Sequence, residues 1–128
     1  MHDRIEAVFS SPLQRALHTA LLAFPASLSP RSKIIAHPLA QETSEAPCDT
    51  GQDRRSLEEK FAAADVDLAC VEVGWNSKKG RWSQEEHAVQ RRAAEMRHFL
   101  AARPESEVVL VTHGHLLRYL TEVLTLRP

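Results

Sequence analysis

The run Val108-Val109-Leu110-Val111 is the stretch that most limits what this chain can become. Consecutive β-branched and apolar residues with no polar alternation suit a strand buried on both faces, as in a parallel sheet covered by helices. The strand expected over Glu107 to Thr112 then breaks at His113-Gly114-His115. Beyond the break the apolar positions become Leu116, Leu120, Val123 and Leu124, a helical period. A second change of period occurs near the other end of the chain. Ile5 to Phe9 reads as a short buried strand, and after Ser10-Ser11-Pro12 the residues Leu13, Ala16, Leu17, Ala20, Leu21 and Phe24 share one helical face. Ser11 suits an N-cap and Pro12 the next position, where the missing N–H is no loss. Pro25 and the segment Ala26-Ser-Leu-Ser-Pro-Arg-Ser32 end that helix.

Between the two junctions, Lys33 to His37 is a second short strand closed by Pro38, and residues 39–53 form a polar loop. A helix is expected over Arg54 to Ala64. Asp65 to Val73 fits neither period, and residues 74–82 form a loop carrying Trp75 and Trp82, which line a pocket or make a small satellite core. Ser83 and Glu86 have the spacing of a capping box, opening a long helix to about Ala102 with Val89, Ala93, Met96 and Leu100 on one face and Pro104 as its stop. Strands alternating with helices imply an α/β sandwich around a largely parallel sheet.

The 128 residues fit one domain with a real core. With 16 basic and 17 acidic residues the total charge points to neither nucleic acid nor an anionic membrane as partner. Cys48 and Cys70 are outside any CxxC spacing, which argues against a disulfide scaffold and a zinc ribbon and for a reducing compartment. No apolar run is long enough to span a bilayer, and the N-terminal residues are too polar for a secretory signal, so the expected location is cytoplasmic.

In a parallel α/β sheet, ligands gather beyond the carboxyl ends of the strands, where helix N-termini also point. Arg15 lies in the first helical turn after the Ser10-Ser11 junction, where a long side chain leans back toward the helix start and can reach an anion; a solvated surface arginine is the plain alternative. His113 is held at a strand end. As a cation it binds a phosphoryl oxygen, and as neutral imidazole it attacks phosphorus or accepts a proton; the alternative is a hydrogen-bonded structural histidine. Gly114 lets the backbone turn and approach a ligand. His115, one step into the helix, caps it or faces solvent. A metal shared by His113 and His115 would need further ligands at supporting spacings, and none stands out. The basic residues Lys78, Lys79 and Arg81 either steer an anionic substrate or are simply solvated.

Taken together, Phe9-Ser-Ser-Pro-Leu-Gln-Arg15-Ala and Val108-Val-Leu-Val-Thr-His113-Gly-His resemble the histidine phosphatase superfamily, the phosphoglycerate mutase-like proteins. The resemblance spans nearly the whole chain, and residues 39–51 and 74–82 are similar to a fungal-type branch of cytosolic phosphomutase-like proteins. It implies a three-layer α/β/α sandwich and a phosphorylated small molecule, or phosphate, as ligand, with no cofactor and no metal. Arg15 would bind phosphate with Ser10 and Gly114, His113 would bind phosphate and the transition state, and Glu42 would protonate the leaving oxygen. Glu45 and Asp49 in the same loop compete for that last role.

The chain also departs from the family. The family's nucleophile is the histidine of an Arg-His-Gly or Arg-His-Ala tripeptide ending its first strand, and neither tripeptide occurs here. The one Arg-His pair, Arg97-His98, falls inside the long helix and precedes Phe99. By this comparison the chain is an N-terminally truncated member that starts after the first strand and helix, with a sheet left open at an edge or gap. The expected activity is that of a phosphatase or phosphomutase-like domain, inactive as the isolated chain for want of its nucleophile. The alternative is a non-catalytic phosphate-binding or interaction module.

Overall fold

The computed structural model describes residues 5–25 and 33–125 of the chain, with side chains to residue 121. Four strands, β1 (Ala7–Ser10), β2 (Ile34–Ala36), β3 (Val66–Asp67) and β4 (Val108–Val111), alternate with four helices, α1 (Gln14–Ala23), α2 (Arg54–Lys60), α3 (Glu86–Ala101) and α4 (Gly114–Thr125). All strand pairings are parallel, in the order β3-β2-β1-β4. The segment of ambiguous period therefore contributes a two-residue edge strand, Val66 pairing with Ile34. Residues 26–32, expected to end the first helix, lie outside the described residues.

The apolar residues divide by the pleat of the sheet, since neighbours along a strand point to opposite faces. On one face Val8, Ile34, Ala36 and Val66 meet Leu17 and Ala20 of α1, Leu57 of α2, Phe61 and Trp75. On the other, Leu110 packs with Val89, Ala93 and Met96 of α3, Leu116 and Leu120 of α4, Leu39 and Trp82. Phe9 points to this second side, meeting Phe99 edge to face with ring centroids 5.3 Å apart. Two cores separated by one sheet are the expected three-layer α/β/α sandwich. Both tryptophans are core residues, Trp75 in one layer and Trp82 in the other, rather than a pocket wall or a satellite.

Two helix starts differ from the sequence expectation. α1 opens at Gln14 after an N-cap Leu13, and Ser11 Oγ accepts from the Leu13 amide, which makes Ser11 a turn former ahead of the helix. Ser83 does the same for Glu85, and α3 opens at Glu86. Glu86 does not reach back as a capping box requires, because its carboxylate accepts from Gln90 and from the Tyr119 hydroxyl. α2 is shorter than its pattern suggested, ending at Lys60.

β4 pairs with β1 on one side, and among the described residues no strand pairs with its other side. All four of its residues are only half-buried. A strand of this composition belongs inside a parallel sheet, so β4 occupies an edge with a centre strand's residues.

Candidate functional site

The parallel arrangement sets the carboxyl ends of β1 and β4 side by side, Ser10 opposite Val111, so the two chemically rich junctions meet. The Ser11 amide donates to the Val111 carbonyl and closes the gap between them. Arg15, on the solvent side of the first turn of α1, extends back over this end of the sheet. One terminal nitrogen, Nη2, lies 3.4 Å from His113 Nδ1 and 2.9 Å from Asp49 Oδ1, while Nη1 donates to the Cys48 carbonyl.

A guanidinium has only donors, so the Arg15 contact makes His113 Nδ1 an acceptor. The imidazole is neutral at pH 7, because burial pushes its pKa down to about 4, with Arg15 and Lys78 acting in the same direction and Glu42 and Asp49 opposing. The single proton of that neutral ring therefore sits on Nε2. Nε2 is buried and has no hydrogen-bond partner among the described residues. A buried N–H with no acceptor is costly and rare, and it marks a place where an acceptor belongs.

Glu42 joins this group from the loop after β2. Its Oε1 accepts from the Thr43 and Leu116 amides, each at 3.0 Å, which places the carboxylate at the N-terminus of α4, one turn from His113. The loop is tied down at every carbonyl from Leu39 to Glu42. Arg92 Nη1 binds the carbonyls of Leu39 and Gln41, Thr112 Oγ1 that of Ala40, and Lys78 Nζ that of Glu42. Burial lowers the Arg92 pKa to about 10, with Glu42 acting against the shift and Arg81 adding to it.

The remaining candidates are placed as follows. Ser10 is fully buried and its hydroxyl donates to the Ser11 carbonyl. Gly114 is exposed as the first residue of α4, with no left-handed backbone and nothing within 4 Å of an added Cβ, so the open face beside it, not its conformational freedom, is its contribution. His115 faces outward, hydrogen-bonded through Nδ1 to Thr43 Oγ1 and edge-on to Tyr119. Of the competing acids, Asp49 is committed to Arg15 and to the Ser44 hydroxyl, which with Lys78 hold its carboxyl below the usual range against a burial effect that raises it. Glu45 is exposed. His37 follows β2 directly, but its Nδ1 accepts from the Leu39 amide and its ring lies against Phe99.

A small cavity of about 180 Å³ opens beside Arg15, between Leu13 and the Cys48–Gln52 segment. A larger one, about 520 Å³, runs between the turn at residues 80–83 and α3 and is lined by neither Arg15, Glu42 nor His113. Of Arg15, Glu42 and His113, only Arg15 lines the smaller cavity, so the convergent polar groups and the unpaired imidazole mark the site better than cavity size does. Among the described residues no group of three or more His, Cys, Asp or Glu side chains is arranged to hold a metal.

A family model described as histidine phosphatase superfamily (branch 1) matches residues 1–128. The chain belongs to the histidine phosphatase superfamily. No curated protein and no solved structure matches it. The parallel sheet of this histidine phosphatase chain brings together the two junctions on which the resemblance rested. Within this histidine phosphatase chain, Arg97-His98 is a pair inside α3 and not at a strand end, with Arg97 donating to the Tyr119 carbonyl. Among the described residues no helix is long and apolar enough to cross a membrane. Sequence reasoning missed Arg92 and named Lys78 only as a loop cation that steers substrate or is solvated, so the burial of both was unforeseen. For Arg92 a signal existed, a charge within the apolar stripe Val89, Ala93, Met96; for Lys78, in a polar run, there was none.

Proposed function

We propose that the chain is a single cytoplasmic domain of the phosphomonoester phosphatase or phosphomutase type, in which Arg15, His113 and Glu42 form the cradle for a phosphoryl group. The observation that carries this reading is the buried, unpartnered His113 Nε2–H next to a guanidinium. Phosphoryl oxygens are strong acceptors, and a neutral imidazole donor with an arginine beside it suits them. Glu42, at the helix end, has the chemistry to deliver a proton to a leaving oxygen.

The same tautomer argument makes His113 a donor and not an attacking group, and no Arg-His-Gly or Arg-His-Ala tripeptide occurs in the 128 residues. Phosphoryl transfer through a phosphohistidine cannot start without that nucleophile. The half-buried β4, unpaired along its outer edge among the described residues, supports the reading that a strand is missing beside the site. The isolated chain is therefore expected to bind phosphomonoesters and to hydrolyse p-nitrophenyl phosphate poorly or not at all.

Added imidazole tests whether the cradle is catalytic. The imidazole nitrogen attacks phosphorus, the P–O bond to p-nitrophenolate breaks, and the phosphoimidazole is then hydrolysed by water. Turnover that needs imidazole and is lost in Arg15→Ala and His113→Ala supports a catalytic cradle. Binding with no rescue assigns the chain to the alternative, a non-catalytic phosphate-binding module. Robust turnover without imidazole, abolished by His113→Ala, would mean that His113 itself attacks, and would overturn the reading.

A further inference from the structure

One buried charge has no task in the cradle so far. Lys78 lies in the polar run Ser77-Lys78-Lys79-Gly80, yet it is only 6% exposed. Its backbone stands at φ 60°, the left-handed region that residues with a Cβ avoid, and strain of this kind persists where the surroundings impose it. Its ammonium donates to the Glu42 carbonyl at 2.8 Å. Holding one carbonyl does not require a buried cation: the neighbouring Ala40 carbonyl is held by the Thr112 hydroxyl. An ammonium has three N–H donors, and this bond uses one of them.

The electrostatics of the cradle also call for a further cation. Arg15 is offset by Asp49, and His113 is uncharged at pH 7. Arg92 holds the carbonyls of Leu39 and Gln41 through Nη1 alone, and its Nε and Nη2 are buried without a partner among the described residues. The Lys78 ammonium, by contrast, is held on the carbonyl of Glu42, whose carboxylate accepts from the Leu116 amide one turn from His113, so it stands beside the cradle, and its charge acts on both His113 and Asp49. We propose that Lys78 is a substrate-binding residue of this site, its ammonium contacting the phosphoryl dianion alongside Arg15 and the His113 Nε2–H. This step rests on the phosphate-binding reading above.

The inference has a pH signature. Burial, and then Arg92, pull the Lys78 pKa down to about 8, against the pull of Asp49, Glu42 and Glu45. The charged groups facing it are thus Arg92, the three carboxylates and neutral His113. Carboxylates, guanidinium groups and an already neutral imidazole keep their charge between pH 7 and 9, as does a phosphomonoester dianion. Lys78 loses its proton in that interval and so should take ligand affinity with it.

The test is calorimetric titration of the full chain with phenyl phosphate at pH 7 and pH 9, for the wild type, Lys78→Met, Lys78→Arg and Arg15→Ala, with circular dichroism checking the fold. The wild type should weaken about ten-fold from pH 7 to 9, and Lys78→Met should be about ten-fold weaker than the wild type at pH 7. Lys78→Arg, whose guanidinium stays charged, should bind equally at both pH values. Unchanged affinity in Lys78→Met, or the same fall with pH in Lys78→Arg as in the wild type, overturns the inference. Binding lost in Arg15→Ala but kept in Lys78→Met overturns it alone and leaves the phosphate reading standing; no binding by the wild type overturns both.

Discussion

A guanidinium nitrogen of Arg15 and the imidazole Nδ1 of His113, 98 positions apart in the chain, meet at 3.4 Å over the carboxyl ends of two adjacent parallel strands. This contact fixes the tautomer of His113, and through it the direction in which the buried Nε2–H is offered. The behaviour of the surrounding groups follows from that geometry.

Asp49 competes with a ligand for Arg15. Its carboxylate already takes one guanidinium N–H, and its negative charge stands where an incoming dianion must approach. Asp49→Asn should therefore raise phenyl phosphate affinity several-fold by calorimetry. Because Arg15 is half-exposed, the stability loss should be at most about 1 kcal/mol. Weaker binding would instead show that Asp49 orients Arg15.

Acid should destabilise the protein as its buried histidines, neutral when folded, take up protons on unfolding. His113 has a folded pKa of about 4 against 6.5 when unfolded, so between those values the unfolded chain binds more protons and stability falls as pH falls. The loss attributable to His113 is up to about 3 kcal/mol at pH 4. His37, lowered to about 4 by burial and then by Arg81, acts in the same window and direction. Urea unfolding from pH 7 to 4 should show this slope, and His113→Gln should remove part of it. Identical slopes in the two proteins would contradict the neutral, buried state of His113.

Arg92 anchors the Glu42 loop from inside the second core. Arg92→Met keeps most of the side-chain volume but strips the Leu39 and Gln41 carbonyls of their donor. Two buried acceptors left unpaired should lower stability by about 2–4 kcal/mol, set against the relief of a desolvated charge whose Nε and Nη2 lack partners. A variant as stable as the wild type in urea would show that the relief dominates.

Gly51 lies against the ring of Trp75. A Cβ there would stand 2.7 Å from Cζ2 and closer still to Cη2, and the ring is fully buried with its Nε1–H bonded to the Gln52 carbonyl. Gly51→Ala should lower stability by about 1–3 kcal/mol in urea unfolding, through overpacking. It should also disturb the adjoining Cys48–Asp49 segment that grips Arg15, so phosphate affinity should fall with it.

The sequence by itself determined the layered fold, the order of its elements apart from the edge strand β3, and the two strand-to-helix junctions, because period and turn chemistry act between residues a few positions apart. Arg15 and His113 were legible for that reason: each sits at a junction of recognisable local form. The exact helix starts were not, since Ser11 and Ser83 satisfy amides just ahead of their helices instead of capping them. Only the tertiary structure decided that β1 and β4 are neighbours, that Asp49 and not Glu42 takes Arg15, and that Glu42 turns to the α4 amides. It alone buried Lys78, a residue whose polar surroundings in sequence gave no sign of it. The physical reason is one of range: loop side chains take their partners from segments brought together by sheet order and core packing, and neither is written in the spacing of nearby residues.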